Sequence, residues 1–184
     1  MVDQNIGFTS TQVVRATGLT LRIVNYWASS GFLVPSVANP SGRGNRRRFS
    51  IPDVYAYAVL GELRNRGVSL QSLRIVQGFL RECDGLELQD ARARLVLAPG
   101  SRRYAQDVAL VHSDSEIISL LTLPGQQIAP VVVDVGALLK QVTARLNEIR
   151  REREARIAAS KKRRAEKERN RAKRVRQRRA IKAA

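Results

Sequence analysis

The stretch Thr9-Ser-Thr-Gln12-Val-Val-Arg-Ala-Thr17-Gly18-Leu19-Thr20-Leu-Arg22-Ile-Val-Asn25-Tyr26-Trp27 decides how the rest of the chain is read. A hydroxyl at Thr9 with Gln12 three residues later is a capping box, in which side chain and backbone satisfy each other at a helix start. Val13, Val14 and Ala16 then supply one apolar face, and Gly18 stops the helix. Thr20 can cap a second helix that carries Leu21, Ile23, Val24, Tyr26 and Trp27 and closes at Gly31. Two short helices joined through Thr17-Gly18-Leu19 make a helix-turn-helix, with the tight turn resting on a residue that tolerates positive φ.

Downstream, Phe32 to Phe49 places two short apolar runs around a Pro/Gly/Asn/Ser cluster, the pattern of a hairpin. Arg43, Arg46, Arg47 and Arg48 ride on it. Four arginines in six positions repel one another unless an anion offsets them. A basic hairpin beside a helix-turn-helix reads as a wing. Ser50-Ile-Pro-Asp53 repeats the capping pattern with Pro52 in the first turn, where its missing N–H costs nothing. Val54, Tyr55, Ala58, Val59 and Leu63 give a third helical stripe ending at Gly67. Ser69 caps a fourth helix through Leu70, Leu73, Val76 and Leu80.

Taken in order, these pieces resemble the MerR family of winged-helix regulators, in forms found among actinobacterial and actinophage proteins. The residues that carry the resemblance are Gly18-Leu-Thr-Leu-Arg22-Ile-Val-Asn-Tyr26-Trp, Gly31-Phe-Leu-Val-Pro35, Arg47-Arg-Phe-Ser50, Ser50-x-x-Asp53 and Leu63-Arg-x-x-Gly67-Val-Ser-Leu70, over about residues 7–82. The resemblance implies that the second helix enters the major groove while the hairpin grips flanking phosphates. It puts Arg22 and Tyr26 on the contacting face, and Arg47 at the wing arginine. Asn25 stands where the family often has Arg. Thr11 and Thr20, at the two helix starts, complete the expected DNA-binding set. Arg can take guanine O6/N7 bidentately or clamp a phosphate, and a capped helix start directs N–H groups at phosphate.

The whole chain, 184 residues with 33 Lys+Arg against 16 Asp+Glu, carries a formal charge of +17. Residues 150–184 alone hold 17 basic and 4 acidic residues, so +13 of that excess lies in the last fifth. Three segments with three electrostatic characters follow: a modestly basic module at 1–84, a neutral unit at 85–149 and a cationic tail at 150–184. In the middle unit, Arg94–Gly100, Asp107–His112 and Ile128–Asp134 read as strands, with a helix opened by Ser113-Asp-Ser-Glu116 between the second and third. A β-β-α-β order results, followed by a long helix from about Val135. Pro124-Gly-Gln-Gln127 reads as a helix-stopping turn. Val135, Leu139, Val142, Leu146 and Ile149 are spaced 4, 3, 4, 3, a two-heptad coiled-coil seam. With Leu139, Val142, Leu146 and Ile149 as its interface, a homodimer is expected, as the resemblance also implies.

The tail is almost wholly Arg, Lys, Ala and Glu, without Gly or Pro. It suits a helix when bound and a disordered or fraying state when free. Lys161, Lys162, Arg163, Arg164, Arg171, Lys173 and Arg174 are its expected nucleic-acid contacts. They act by counterion release rather than base reading, for want of aromatics to stack on.

One cysteine and one histidine exclude a disulfide framework and the usual zinc sets, so no metal, cofactor or catalytic residue is expected and the chain is not read as an enzyme. No apolar run reaches the roughly 18 residues of a membrane span, and the first residues lack a signal pattern. No effector pocket is legible. The fold class expected is mainly α with small β: a winged helix-turn-helix, a β-β-α-β unit and a long basic helix or tail. The expected function is sequence-specific binding of double-stranded DNA as a cytoplasmic, nucleoid-associated transcription regulator. Two alternatives remain open at this point: a recombination-directing or architectural DNA-binding protein, and an RNA- or ribosome-associated protein driven by the tail.

Overall fold

The computed structural model describes residues 7–39, 46–83, 85–98, 108–121 and 130–183. Its elements run α1 (Ser10–Thr17), α2 (Leu21–Ser29), α3 (Ile51–Asn65), α4 (Leu70–Glu82), α5 (Gly85–Leu88), β1 (Arg94–Leu97), β2 (Val108–Val111), α6 (Asp114–Leu121), β3 (Val131–Asp134) and α7 (Val135–Ala183). The chain forms two compact units, 1–145 and 146–184, so the expected division near residue 84 lies inside the first.

Local chemistry sets each helix start. The Thr9, Thr20, Ser50 and Ser69 hydroxyls accept the N–H groups of Gln12, Ile23, Asp53 and Ser72. At α1 and α3 the partner side chain also returns to the cap backbone. Each such cap is worth about 1 kcal/mol. α1 ends on Gly18 at φ 78°, a left-handed turn open to glycine at no steric cost.

The core of the first unit is built on α3, which packs against α1 and α4. Val54, Tyr57, Ala58, Val59, Leu60 and Leu63 are buried on it. Tyr57 carries most of the organisation. Its ring meets Phe49 edge-on at 5.5 Å and Trp27 at 5.7 Å, and Trp27 in turn meets Phe32 at 5.2 Å. Its hydroxyl donates to the carbonyls of Val24 and Leu33, so burial raises the phenol pKa without leaving a polar atom unsatisfied.

The three strands form an antiparallel sheet in the order β2-β1-β3. Arg94 pairs with Val111 and with Asp134, which puts Val96, Ala109 and Val132 on one face with Ile117 of α6 packed there. Leu95, Leu97 and Val133 are buried on the other, the side from which α3 and α4 approach the sheet. Val135 starts α7 one residue after β3. A Cβ at Gly136 would fall on the Asp90 carbonyl oxygen, and the Gly136 N–H donates to Ala93 at 2.9 Å, so only glycine fits this crossing.

Within the first unit α7 is knitted to the helix-turn-helix. The Thr143 and Tyr55 hydroxyls lie 2.8 Å apart, and Arg145 donates to the Ala16 carbonyl at the end of α1. Leu139 and Val142 are fully buried there, which puts half of the expected dimer seam inside the single chain. In the second unit Leu146 and Ile149 are also buried, whereas Ile157 is 45% exposed. The tail expected to fray is helical through Ala183: 34 residues of helix formers without Gly or Pro continue a helix already nucleated upstream. Among the described residues, no helix is long and apolar enough to cross a membrane.

Candidate nucleic-acid interface

α2 has two faces of opposite character. Val24, Trp27 and Ala28 are buried against the core, while Leu21, Arg22 and Tyr26 face solvent. Arg22 and Tyr26 stand four residues apart on one ridge, with half-buried Asn25 beside Tyr26. Tyr26 is 60% exposed, the largest such value among the exposed large apolar side chains of the described residues. A tyrosine ring held in water by a helix whose other side is locked by a tryptophan has no part in the core, so of the pair Tyr26-Trp27 only Trp27 anchors the helix. Thr20 is exposed, and its hydroxyl is occupied as the α2 cap by the Ile23 N–H at 3.3 Å. Thr11 is exposed on α1.

The segment expected as a hairpin closes at its base. Ala38 and Arg48 exchange two backbone hydrogen bonds of 3.1 and 2.8 Å, and Phe8 and Phe49 exchange another pair of 2.7 and 2.9 Å. Arg43 lies outside the described residues. Of the other three arginines, Arg46 is exposed with its guanidinium free of any partner among the described residues. Arg47 is half-buried and donates to the Asn39 side chain at 3.3 Å. Arg48 is half-buried and reaches back to the Gly7 carbonyl at 3.4 Å. The three are thus graded, from a cation at Arg46 without a partner among the described residues to one engaged with the Gly7 backbone at Arg48.

Asp53 was legible as a helix cap, but its second task was not. One carboxylate oxygen accepts from the Ser50 N–H at 2.8 Å, the Ser36 N–H at 2.9 Å and the Ser36 hydroxyl at 2.8 Å. The two serine hydroxyls are themselves 2.8 Å apart. A single acid therefore joins Ser36, before the Ala38–Arg48 bridge, and Ser50, after it, to the start of α3. Ser36 sits 17 residues before Asp53, a separation no local pattern reports. That oxygen of Asp53 is thus engaged with Ser36 and Ser50.

The remaining expected contacts lie on α7. Lys161, Lys162, Arg163 and Arg164 are exposed on consecutive positions, so they point around the helix rather than along one face. Arg171, Lys173 and Arg174 belong to the same helix, with side chains outside the described residues. The expected turn at Pro124-Gly-Gln-Gln127 also lies outside them. Among the described residues, no group of three or more His, Cys, Asp and Glu side chains is arranged to hold a metal ion.

Residues 8–78 match the family model of the MerR helix-turn-helix regulatory proteins. Curated relatives include an uncharacterized HTH-type transcriptional regulator of Mycobacterium bovis and two from strains of Mycobacterium tuberculosis. Each is 29% identical over 80 residues, which is 44% of this chain and 36% of the relative. The chain thus spans about a third of the length of those relatives, and the family model ends at residue 78, inside α4. Over residues 8–78, then, the chain is similar to the MerR helix-turn-helix regulatory proteins.

Proposed function

We propose that the chain is a sequence-specific double-stranded DNA-binding protein that regulates transcription. α2 lies in the major groove with Arg22, Asn25 and Tyr26 toward the base edges. The hairpin acts as a wing, with Arg46 and Arg47 on the flanking phosphates. The observation that carries this reading is the division of α2 into a buried face anchored by Trp27 and a solvent face bearing Arg22 and Tyr26. Base contacts specify and phosphate contacts position, and the two sets sit on separate elements here. The stretch 150–183 adds sequence-independent affinity and a faster encounter, and the protein resides with the nucleoid.

Leu139 and Val142 already have their apolar surface covered within one chain, so a dimer would need another surface. This arrangement favours one chain per half-site.

Selection from random duplexes at about 150 mM salt tests both points, with the full chain and with Arg22→Ala/Arg47→Ala. An enriched motif that the double variant fails to enrich supports the reading. A single, non-palindromic half-site together with a monomer by light scattering supports one chain per site. Failure to enrich any motif, with equal grip on duplex DNA and RNA, would sink the sequence-reading function in favour of the tail-driven alternative.

A further inference from the structure

Contrary to the expectation of no ligand pocket, the first unit encloses a cavity of about 430 Å³. That volume falls within the roughly 300–1,000 Å³ range of small-molecule sites. Its floor is apolar and buried: Leu33, Val59, Leu88 and Leu139. They come from the α2–α3 connection, α3, α5 and α7, so the site exists only once all four have assembled.

The polar groups of the wall decide what the cavity can take. Asp53 has one oxygen saturated by Ser36 and Ser50. The Tyr55 hydroxyl is shared with Thr143 and Gln89, and the Gln77 amide donates to the Phe32 carbonyl at 2.7 Å. Arg81 differs. It is exposed at the rim, in the last turn of α4, and has neither an ion pair nor a hydrogen bond among the described residues. A guanidinium offers five donors and no acceptor, so the group it completes is an anion.

We propose that this cavity binds an amphipathic organic anion, with a ring system or branched chain on the Leu33–Leu139 floor and a carboxylate or sulfonate on Arg81. The body supplies the transfer free energy and the head group fixes orientation, the usual division in such sites. Binding is non-covalent. Cys83 lines the wall, but burial, with Glu87 and Glu82 nearby, holds its thiol above the ordinary cysteine range and keeps it neutral.

Cys83 is the chain's only cysteine, so it reports occupancy without any added label. The probes are 1-anilinonaphthalene-8-sulfonate and N-phenyl-1-naphthylamine, the same ring body without the sulfonate, titrated into the full chain by calorimetry. Saturating sulfonate should slow N-ethylmaleimide modification of Cys83, which places the probe in the cavity rather than on the cationic tail. It should bind about tenfold more tightly than the neutral probe, the equilibrium equivalent of one charge-assisted hydrogen bond. Arg81→Ala, a surface change, should erase that preference, and Ala56→Trp, which fills the cavity, should abolish protection of Cys83. Unchanged labelling of Cys83 at saturation, equal affinity for the two probes, or indifference to Arg81→Ala would each overturn the assignment.

Discussion

Helix α2 and the stretch 151–170 of α7 both present arginine to solvent, by opposite means. α2 is nine residues long, too short to persist alone, and owes its existence to what lies behind and before it. Trp27, Val24 and Ala28 fix its back, Thr20 fixes its start, and a single arginine faces outward. The tail buries no described side chain beyond Ile149, carries most of the protein's net charge, and is helical because its residues favour helices. One element has few contacts whose geometry is dictated by a core. The other has many, each free to move with its side chain. Discrimination needs the first arrangement, because a bidentate contact fails when displaced by an ångström. General affinity is content with the second, since a phosphate accepts a cation from many directions.

That contrast can be broken at several points. The largest effect is expected from Trp27→Ala, which removes the anchor between Phe32 and Tyr57. A loss of about 3–5 kcal/mol, read from chemical denaturation, would take recognition with it. A variant that stays folded and selective would show that α2 is held by something other than its back face.

Deleting 150–183 comes next. If the tail engages about six phosphates, the slope of log affinity against log salt should flatten by about 5, while the ranking of duplex sequences stays the same. A changed ranking would mean that the tail reads bases, and the division drawn above would fail.

Arg22→Ala is expected to cost about 1–3 kcal/mol on the selected duplex and little on a random one. Equal losses on both would make Arg22 a phosphate contact. The smallest effect is one of pH. Since the folded Tyr57 phenol holds its proton more tightly than the unfolded one, folding is favoured most below the ordinary tyrosine value near 10 and weakens as pH rises past it. Urea midpoints of the wild type and Tyr57→Phe, compared from pH 8 to 11, should converge as the alkaline limit is approached. Parallel lines would remove the linkage.

Much of the fold was legible because its determinants are local. Thr9, Thr20, Ser50 and Ser69 act on N–H groups three residues away, so their roles can be read from spacing alone. The 4-3 repeat of Leu139 and Val142 was legible as a buried face and not as to what buries it. Periodicity records that water is excluded, and a neighbouring element of the same chain excludes it as well as a second chain does. The Ser36–Asp53 link, the Arg145–Ala16 contact and the cavity were hidden for a related reason. Each joins residues 17 to 129 positions apart, where only the assembled fold sets the distance. Among the arginines, composition showed the cluster but not its grading, since whether Arg48 reaches Gly7 depends on how the N-terminal strand pairs with Phe49.

Trp27 is the only tryptophan in the chain, and it sits on the buried face of α2, opposite the solvent-facing Arg22 and Tyr26. The module therefore contains its own optical sensor. Intrinsic emission excited near 295 nm comes from this one indole, in contact with Phe32 and Tyr57 and shielded from water. Its wavelength follows the seating of α2 on the core, and its resistance to iodide follows the tightness of that seat. Any event that lifts or resettles α2, whether a duplex, a ligand or a distant substitution, is registered in unmodified protein without a dye.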